Sequence, residues 1–434
     1  MPGKLCLVTL GCPKNIVEGE SIAGLLESKG WSLTTDLLAA DAAVIHTCSF
    51  IADAKKESEE TIRAILRLKK FGKLKRVAVT GCLVQREGKD LIDRFEDVDV
   101  FSGTGADAIE RLPAALKDGS VSLITKPGGF LESSAPRLLS SNLPSAYLRV
   151  AEGCNHKCNF CIIPRIRGRF YSREQGSILK EARELIACGV KEIILIAQDT
   201  TLYGKDIYGK PALPSLMKKV ADINGIKWVR LMYAYPSTVS AELIEVIRSE
   251  NNICKYMDMP VQHVSDKVLK LMGRAGDVKK IIRKLKERVP GLALRTTIIT
   301  GFPGENDADF KELRSFVSEG WFDHIGVFEY DPVEGTPSAE LKGQIGAKLK
   351  AERKKELMLI QKNVVKKRLN AMTGKTLEAL VESQKDANTH FGRTSFQAPE
   401  IDGGIIIKGK CSPGDFVDIK VTGHRGYDLL GEIQ

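Results

Sequence analysis

Tyr147-Leu148-Arg149-Val150-Ala151, followed within two residues by Gly153-Cys154-Asn155-His156-Lys157-Cys158-Asn159-Phe160-Cys161, decides how this chain is read. The first five residues form a short apolar run typical of a strand. The loop after it is a CxxxCxxC run with an aromatic beside its last cysteine. Three thiolates this close can hold an iron–sulfur cluster by three corners and leave the fourth iron open for chemistry. Further strand-like runs follow at Glu192–Ala197, Trp228–Tyr233, Tyr256–Pro260, Ala293–Thr300 and His324–Tyr330. Helical patterns fall between them, for example Ser177–Cys188, Ala241–Ser249 and Asp307–Glu319. Six strand–helix units predict a partial or complete β/α barrel, whose functional residues belong at the carboxyl ends of the strands. The cysteine loop follows the first strand, as that rule asks.

Working outward, the amino-terminal third alternates in the same way. Lys4–Leu10, Ala42–Thr47 and Arg76–Thr80 are short β-branched or apolar runs, with helical stretches Ile16–Lys29 and Ala54–Lys70 between them. The alternation predicts a parallel α/β sheet. Cys12, Cys48 and Cys82 come directly after the three runs. Loops beyond strand carboxyl ends gather at one edge of such a sheet, so these cysteines can meet in space despite gaps of 36 and 34 residues. Spacing alone also allows them to be small apolar residues at strand ends.

Gly119 to Ser145, with Pro127-Gly128-Gly129 and its serine clusters, reads as a linker. Leu341–Met372 is a long, highly charged helical pattern that connects or braces domains. After it, Leu377–Glu382, Gly403–Lys408, Phe416–Thr422 and Leu429–Ile433 are short runs broken by glycines. They predict a small antiparallel barrel.

A chain of 434 residues, 43% hydrophobic and 28% charged, has the balance of a soluble globular protein of two to four domains, not of a disordered or membrane-spanning one. The start, Met-Pro-Gly-Lys, has no signal-peptide pattern, and no apolar stretch approaches the ~20 residues a membrane span needs. The expectation is a cytoplasmic protein with no membrane partner, whose ten cysteines are ligands and core residues rather than disulfides. Net charge is +10 but uneven. Met372 to Gln434 holds seven Lys/Arg against nine Asp/Glu, a net of −2, so the remainder carries +12. A basic balance points to a nucleic-acid or ribonucleoprotein partner.

Iron–sulfur cubanes are normally tied by four cysteines. With three, the unique iron can bind the amine and carboxylate of S-adenosylmethionine, and electron transfer into the sulfonium gives a radical able to take hydrogen from an unactivated carbon. Such chemistry belongs to the cofactor, which the protein holds and orients. A zinc site with His156 as fourth ligand is the plain alternative, but no second knuckle exists. Core packing is the expectation for Cys6, Cys188, Cys254 and Cys411.

Gly11-Cys12-Pro13-Lys14-Asn15, His46-Thr47-Cys48-Ser49-Phe50, Thr80-Gly81-Cys82 and the Gly153–Gly168 stretch ending Ile-Pro-Arg-Ile-Arg-Gly together resemble the methylthiotransferase family of radical S-adenosylmethionine enzymes. The resemblance covers essentially the whole chain. It implies an amino-terminal cluster domain at 1–118, the linker 119–145, a radical β/α barrel at 146–339, a connecting basic helix at 340–371 and a TRAM barrel at 372–434. It also implies two 4Fe–4S clusters, one on Cys12, Cys48 and Cys82 and one on Cys154, Cys158 and Cys161, with S-adenosylmethionine at the second. Pro13-Lys14 and Met259-Pro260-Val261-Gln262-His263 resemble the branch that modifies a ribosomal protein. The tRNA branch more typically has Gln-Met after the first cysteine and a serine after the glutamine. The implied substrate is an aspartate of small-subunit ribosomal protein twelve, methylthiolated at its β-carbon, free or on the ribosome. S-adenosylmethionine would act as methyl donor and as radical source, and an electron-donor protein would be a further partner. An acidic terminal barrel agrees, because a grip on tRNA phosphates needs a basic one.

Around the implied cofactor, Phe160, Gln198, Asp199, Gln262, Thr297, Gly301 and Glu305 are candidate contacts. The Gly301–Glu305 run is alternatively an ordinary strand-to-helix turn whose Glu305 helps the next helix start. His46 and His263 are expected to be hydrogen-bonded structural residues. The competing readings are a methylthiotransferase acting on tRNA adenosine, favoured by the +12 charge, and a non-catalytic metal-bearing ribosome-binding factor.

Overall fold

Apolar runs separated by amphipathic helices pair in parallel at the start of the chain: β1 (Lys4–Thr9), β2 (Ser32–Leu33), β3 (Ala42–Thr47), β4 (Arg76–Gly81), β5 (Val100–Ser102) and β6 (Val121–Leu123) lie in the order β2-β1-β3-β4-β5-β6. Every residue of β3 is buried, as a central parallel strand covered on both faces requires. Alternate residues serve opposite faces. Ala43, Ile45, Val77 and Val79 pack with Ile62, Ile65 and Leu66 of the helix Ala52–Lys70. Ala42, Val44 and Ala78 pack with Ile22, Leu25 and Leu26 of the helix Pro13–Ser28 and with Ile109, Leu112 and Leu116 of the helix Ala106–Asp118.

The computed structural model describes residues 3–72, 74–119, 121–131, 136–140, 144–274 and 276–434. They form two bodies. The first comprises Met1–Asn142, Ala151–His156 and Cys161–Arg173; the second comprises Leu143–Val150, Lys157–Phe160 and Glu174–Gln434. The segment expected as a linker supplies β6 to the first sheet. Its Ser140 also donates N–H and Oγ–H bonds of 2.8 and 2.7 Å to the buried Glu20 carboxylate. Residues 120, 132–135 and 141–143 of that segment lie outside the described residues.

In the second body β7 (Ser145–Arg149) begins a second sheet. The short antiparallel pair β8 (Ala151–Glu152) and β9 (Tyr171–Ser172) belongs to the first body. The sheet continues with β10 (Glu192–Ile196), β11 (Trp228–Leu231), β12 (Ile253–Asp258), β13 (Ala293–Thr300) and β14 (His324–Glu329), parallel and in sequence order from β7 to β14. It is open at β7 and β14, hence a partial β/α barrel.

The helix Ala347–Asn370 then runs along β13 and β14. It begins six residues later than its charge pattern suggests, because Gly343 and Gly346 interrupt the preceding stretch. Its buried side includes Lys350, Arg353 and Gln361. Lys350 Nζ donates to the Tyr330 carbonyl at 2.8 Å, and Gln361 Nε2 to the Asp323 carbonyl at 3.1 Å.

The chain ends in a closed barrel of β15 (Thr376–Asp386), β16 (Thr389–Thr394), β17 (Ile405–Lys408), β18 (Phe416–Arg425) and β19 (Asp428–Ile433). All its pairings are antiparallel except β17 with β19. Among the described residues no helix is long and apolar enough to cross a membrane.

Candidate functional site

In the first body β1, β3 and β4 are neighbours, with Thr9 opposite His46, His46 opposite Thr80 and Thr47 opposite Gly81. The three strands therefore release their chains at one edge, where Cys12, Cys48 and Cys82 stand. Cys12 is the residue before the helix Pro13–Ser28. Gly11 and Gly81 have φ of +93° and +100°. A Cβ on Gly11 would lie 2.5 Å from Cys48 Cβ and 2.8 Å from its Sγ, so only glycine lets the Cys12 loop close on Cys48. Asn15 ties the same loops, donating Nδ2–H to the Leu10 and Thr47 carbonyls at 2.8 and 2.9 Å.

Burial pushes the Cys82 thiol up to about 12; nearby Arg167 opposes that rise, and Cys48 and Cys12 add to it. Burial also raises Cys48, again with a contribution from Cys12. The three thiols are close enough to feel one another. Arg167 Nη2 donates to Cys82 Sγ at 3.1 Å and to Asn15 Oδ1 at 2.7 Å, while Nη1 donates to Glu18 Oε2 at 2.7 Å. His46 Nε2 lies 3.1 Å from the same Glu18 oxygen, but the expected hydrogen bond is not formed: neither ring nitrogen has a hydrogen-bond partner among the described residues. Three soft sulfur donors drawn together by a cradle that a Cβ would fill suit an iron–sulfur cluster. Among the described residues no three His, Cys, Asp or Glu side chains converge tightly enough for one metal ion; a four-iron cubane, with its own bulk between its cysteines, asks for wider spacing.

Of the CxxxCxxC loop, Cys154 and Cys161 belong to the first body and Cys158 to the second. Cys154 N–H donates to the Gly168 carbonyl at 3.1 Å, and the His156 N–H lies 3.4 Å from Cys154 Sγ. Gly153 (φ +74°) lets the backbone at Arg169 pass where a Cβ would fall 2.1 Å from its carbonyl oxygen.

In the second body Arg274 Nη1 is 3.6 Å from Cys158 Sγ, and its guanidinium stacks 4.3 Å from the centre of the Tyr235 ring. Burial pushes the Tyr235 phenol up to about 12, against Arg274 and with a hydrogen bond to Cys158 adding to the rise. Asn159 is fixed to Leu271 and Met272 carbonyls at 2.8 and 2.9 Å. Phe160 packs edge-on against Phe302 at 6.4 Å, within the apolar cluster of Val268, Met272, Phe302 and Tyr330.

Gln198 is half-buried just past β10, and Asp199 is buried and accepts from the Thr201 N–H at 2.9 Å. Gln262, past β12, has φ +72°, donates N–H to the Thr297 carbonyl of β13 at 2.8 Å and accepts from Ile299 N–H at 2.8 Å. Its buried side-chain Oε1 has no hydrogen-bond partner among the described residues. Thr297 is half-buried.

Gly301 and Glu305 have the contacts of a strand-to-helix turn. A Cβ on Gly301 would fall 2.4 Å from Lys350 Cγ. Glu305 accepts from Gly301 N–H at 2.8 Å and pairs with Arg353 at 2.7 Å, its side chain fully buried. The next helix is started by Asn306 in a capping box with Asp309, not by Glu305. His263 accepts the Ser265 N–H at 2.9 Å, and burial pushes its imidazole down to about 3.

Cys6 and Cys254 are core residues and Cys411 is half-buried beside the barrel core. Cys188, expected in the core, is exposed, because the helix ends at Ala187 and carries it past the packed face. Sequence reasoning did not find Arg167, Tyr233, Tyr235 or Arg274. Only Arg167 had a signal, as the last arginine of the quoted Ile-Pro-Arg-Ile-Arg-Gly run. Tyr233 (φ +61°) and Gln262 are two of three non-glycine residues with positive φ among the described residues, and they follow adjacent strands. Strain of this kind collects at functional sites.

Comparison with known proteins agrees with this layout. The Radical SAM superfamily matches residues 148–317, the uncharacterized protein family UPF0004 matches 4–103, and a TRAM domain matches 373–433. The ribosomal protein uS12 methylthiotransferase RimO of Geotalea uraniireducens is 45% identical over 439 residues, covering 99% of this chain and 98% of its own. Its namesake from Endomicrobium trichonymphae is 45% identical over 430 residues (98% and 97%), and that from Clostridioides difficile 42% over 440 (99% and 98%). Among solved structures, the radical S-adenosylmethionine methyltransferase TsrM from Kitasatospora setae, with cobalamin and a [4Fe-4S] cluster bound, aligns at a TM-score of 0.57 with 16% identity, covering 78% of this chain and 77% of its own. At that identity the likeness is one of fold.

Proposed function

We propose that this chain, which belongs to the ribosomal protein uS12 methylthiotransferase family within the radical S-adenosylmethionine superfamily, methylthiolates the β-carbon of an aspartate in that ribosomal protein. It is a methylthiotransferase that uses iron–sulfur chemistry and S-adenosylmethionine. The observation that carries the finer reading is the convergence of Cys12, Cys48 and Cys82 at one edge of three neighbouring strands. A radical enzyme that only abstracts hydrogen needs the CxxxCxxC loop; one that also delivers sulfur needs a second thiophilic site.

In this reading Cys154, Cys158 and Cys161 hold one 4Fe–4S cluster by three corners, and Cys12, Cys48 and Cys82 hold another. When bound, the clusters and S-adenosylmethionine supply a hydrogen-abstracting radical and a methylated sulfur. The residues of the chain bind and orient. Arg274 and Tyr235 fix Cys158, and Gln262, held at positive φ by its two bonds to β13, offers an unengaged amide oxygen to the cofactor pocket. Gln198, Asp199, Thr297 and Phe160 are proposed to line the same carboxyl end of the sheet. The terminal barrel, net −2 from Met372 on, suits a basic ribosomal protein better than tRNA phosphates. An electron-donor protein completes the partners.

The test compares uS12 peptide masses and tRNA nucleosides from cells with and without the gene. A gain of one methylthio group on the aspartate peptide is expected. A change confined to the nucleosides would transfer the activity to tRNA. Failure of the reduced, reconstituted protein to release 5′-deoxyadenosine from S-adenosylmethionine would remove the enzymatic reading altogether.

A further inference from the structure

Arg167 ends the helix Ile163–Arg167 and is only 3% exposed. Its guanidinium is held on two sides by polar groups that are themselves fixed. Glu18, buried, takes Nη1 at 2.7 Å while also facing His46. Asn15, fully buried, takes Nη2 at 2.7 Å while its own amide is anchored to two carbonyls. Glu152 Oε1 lies 3.9 Å from Nε. What remains of the Nη2 edge is aimed at Cys82 Sγ, 3.1 Å away. Cys48 differs in degree: the group that most opposes its burial is the backbone N–H of Phe50, with the Arg167 charge acting more weakly, whereas at Cys82 it is Arg167. One cysteine of the set thus takes a direct hydrogen bond from the cation, while another feels it only through its charge and is met mainly by a neutral backbone dipole. A charged donor is roughly twice as strong as a neutral one.

We infer that Arg167 is a positioning residue for the first cluster, one that raises its reduction potential through the Cys82 sulfur and makes that corner electronically unlike the Cys48 corner. The inference rests on the reading that Cys12, Cys48 and Cys82 hold a cluster. Hydrogen bonds to cluster sulfurs are among the determinants of potential. Donation to a ligating thiolate withdraws electron density, and a nearby cation favours the reduced, more negative state. Both effects have the same sign. Burial strengthens them, since little water screens the pair.

The experiment uses the full-length chain carrying Cys158→Ala, reconstituted with iron and sulfide so that the first site alone is loaded. Its one-electron potential is followed by electron paramagnetic resonance during titration with dithionite. Three variants are compared on that background: Arg167→Met, Arg167→Lys and Arg137→Met. Arg137 is the control, a buried arginine 2.9 Å from the buried Glu20 that likewise removes an arginine–glutamate pair. The expected result is a reduction equilibrium at least tenfold less favourable in Arg167→Met, about 59 mV for one electron. Arg167→Lys should fall less, and Arg137→Met should match its parent. An unmoved potential in Arg167→Met, or an equal shift in Arg137→Met, overturns the inference. Should Arg167→Met fold by circular dichroism yet take no cluster, Arg167→Lys decides. A lowered potential there supports tuning, and an unshifted or empty site refutes it. A parent without any cluster would refute the underlying cluster reading, and the inference with it.

Discussion

Replacing Arg393 with methionine tests how the terminal barrel is fastened within the second body. Arg393 lies in β16 and is 1% exposed. It pairs with Glu192 Oε2 at 2.5 Å and Glu382 Oε1 at 2.7 Å, and donates to Ser145 Oγ at 2.8 Å and the Gln397 carbonyl at 2.7 Å. Glu192, fully buried at the start of β10, also takes Arg230 Nε at 2.6 Å. Burial alone would raise the Glu192 carboxyl, but Arg230 and Arg393 outweigh it and hold it down at about 2. Methionine fills much of the same volume but leaves Glu382 and one oxygen of Glu192 facing no cation. Breaking a buried pair from one side costs about 3–5 kcal/mol. At about 2 °C per kcal/mol for a body of this size, the melting transition should fall by roughly 6–10 °C. Differential scanning calorimetry reads the shift. Adding Glu192→Gln to Arg393→Met should recover part of the loss, because it removes one uncompensated charge. Glu192 and Ser145 begin their strands, whereas the residues around Cys158 follow strand carboxyl ends. Iron content and S-adenosylmethionine cleavage at 25 °C should therefore be unchanged. A fall of less than about 2 °C, or a loss of iron alongside it, would refute the reasoning.

Gly11→Ala places a methyl group 2.5 Å from Cys48 Cβ at a φ of +93°, at a strain of about 1–3 kcal/mol. It should lose the first proposed cluster and keep the second, and unchanged iron per chain counts against the cradle. His263, pushed down to about 3 by burial, stays neutral when folded, while an unfolded histidine gains its proton near pH ~6.5. Its contribution is thus fully present above that pH and lost as pH falls, by about 2 kcal/mol between pH 6.5 and 5. Urea melts of His263→Asn should show a correspondingly flatter slope, and equal slopes would place the titration elsewhere. Cys158→Ala should abolish formation of 5′-deoxyadenosine, while Cys48→Ala leaves uncoupled cleavage partly intact. Equal loss in both argues for one shared cluster.

The parts legible in the sequence are those set by local pattern. Ala42–Thr47, Ala293–Thr300 and Ala241–Ser249 fall at the residues expected, because each is a short apolar run or face bounded by polar or turn residues. β16 was not legible: in Thr-His-Phe-Gly-Arg-Thr the buried positions include His390, Arg393 and Thr394, which no hydrophobic alternation reveals. The helix Ala347–Asn370 hides its packed side in the same way, behind Lys350 and Arg353. At the site, Cys154, Cys158 and Cys161 stand out by their spacing, whereas position after a strand makes Cys12, Cys48 and Cys82 candidates without deciding between a ligand set and core residues. Arg167 could not be assigned a contact, because Asn15, which fixes it, is 152 positions away. Gly301 and Glu305 were legible as a turn, but their partners Lys350 and Arg353 come from a helix whose approach the sequence does not announce.

The two cysteine sets also differ in what gathers them. Cys154, Cys158 and Cys161 are neighbours in sequence, so a local motif suffices to identify them. Cys12, Cys48 and Cys82 are separated by 36 and 34 residues, and the entropy of closing such loops grows only slowly with their length. The hydrogen-bond ladders of β1, β3 and β4 help to meet that cost. The sheet can therefore hold the Cys48 and Cys82 thiols as neutral, buried groups, the state that burial favours for both. Thiolates at this edge need compensating positive charge. Arg167 supplies part of it, through a direct hydrogen bond at Cys82 and more weakly through its charge at Cys48. The wide spacing that makes the first set hard to recognise is thus what a site built on a sheet edge requires, and the cation that completes it comes from the segment just beyond Cys161.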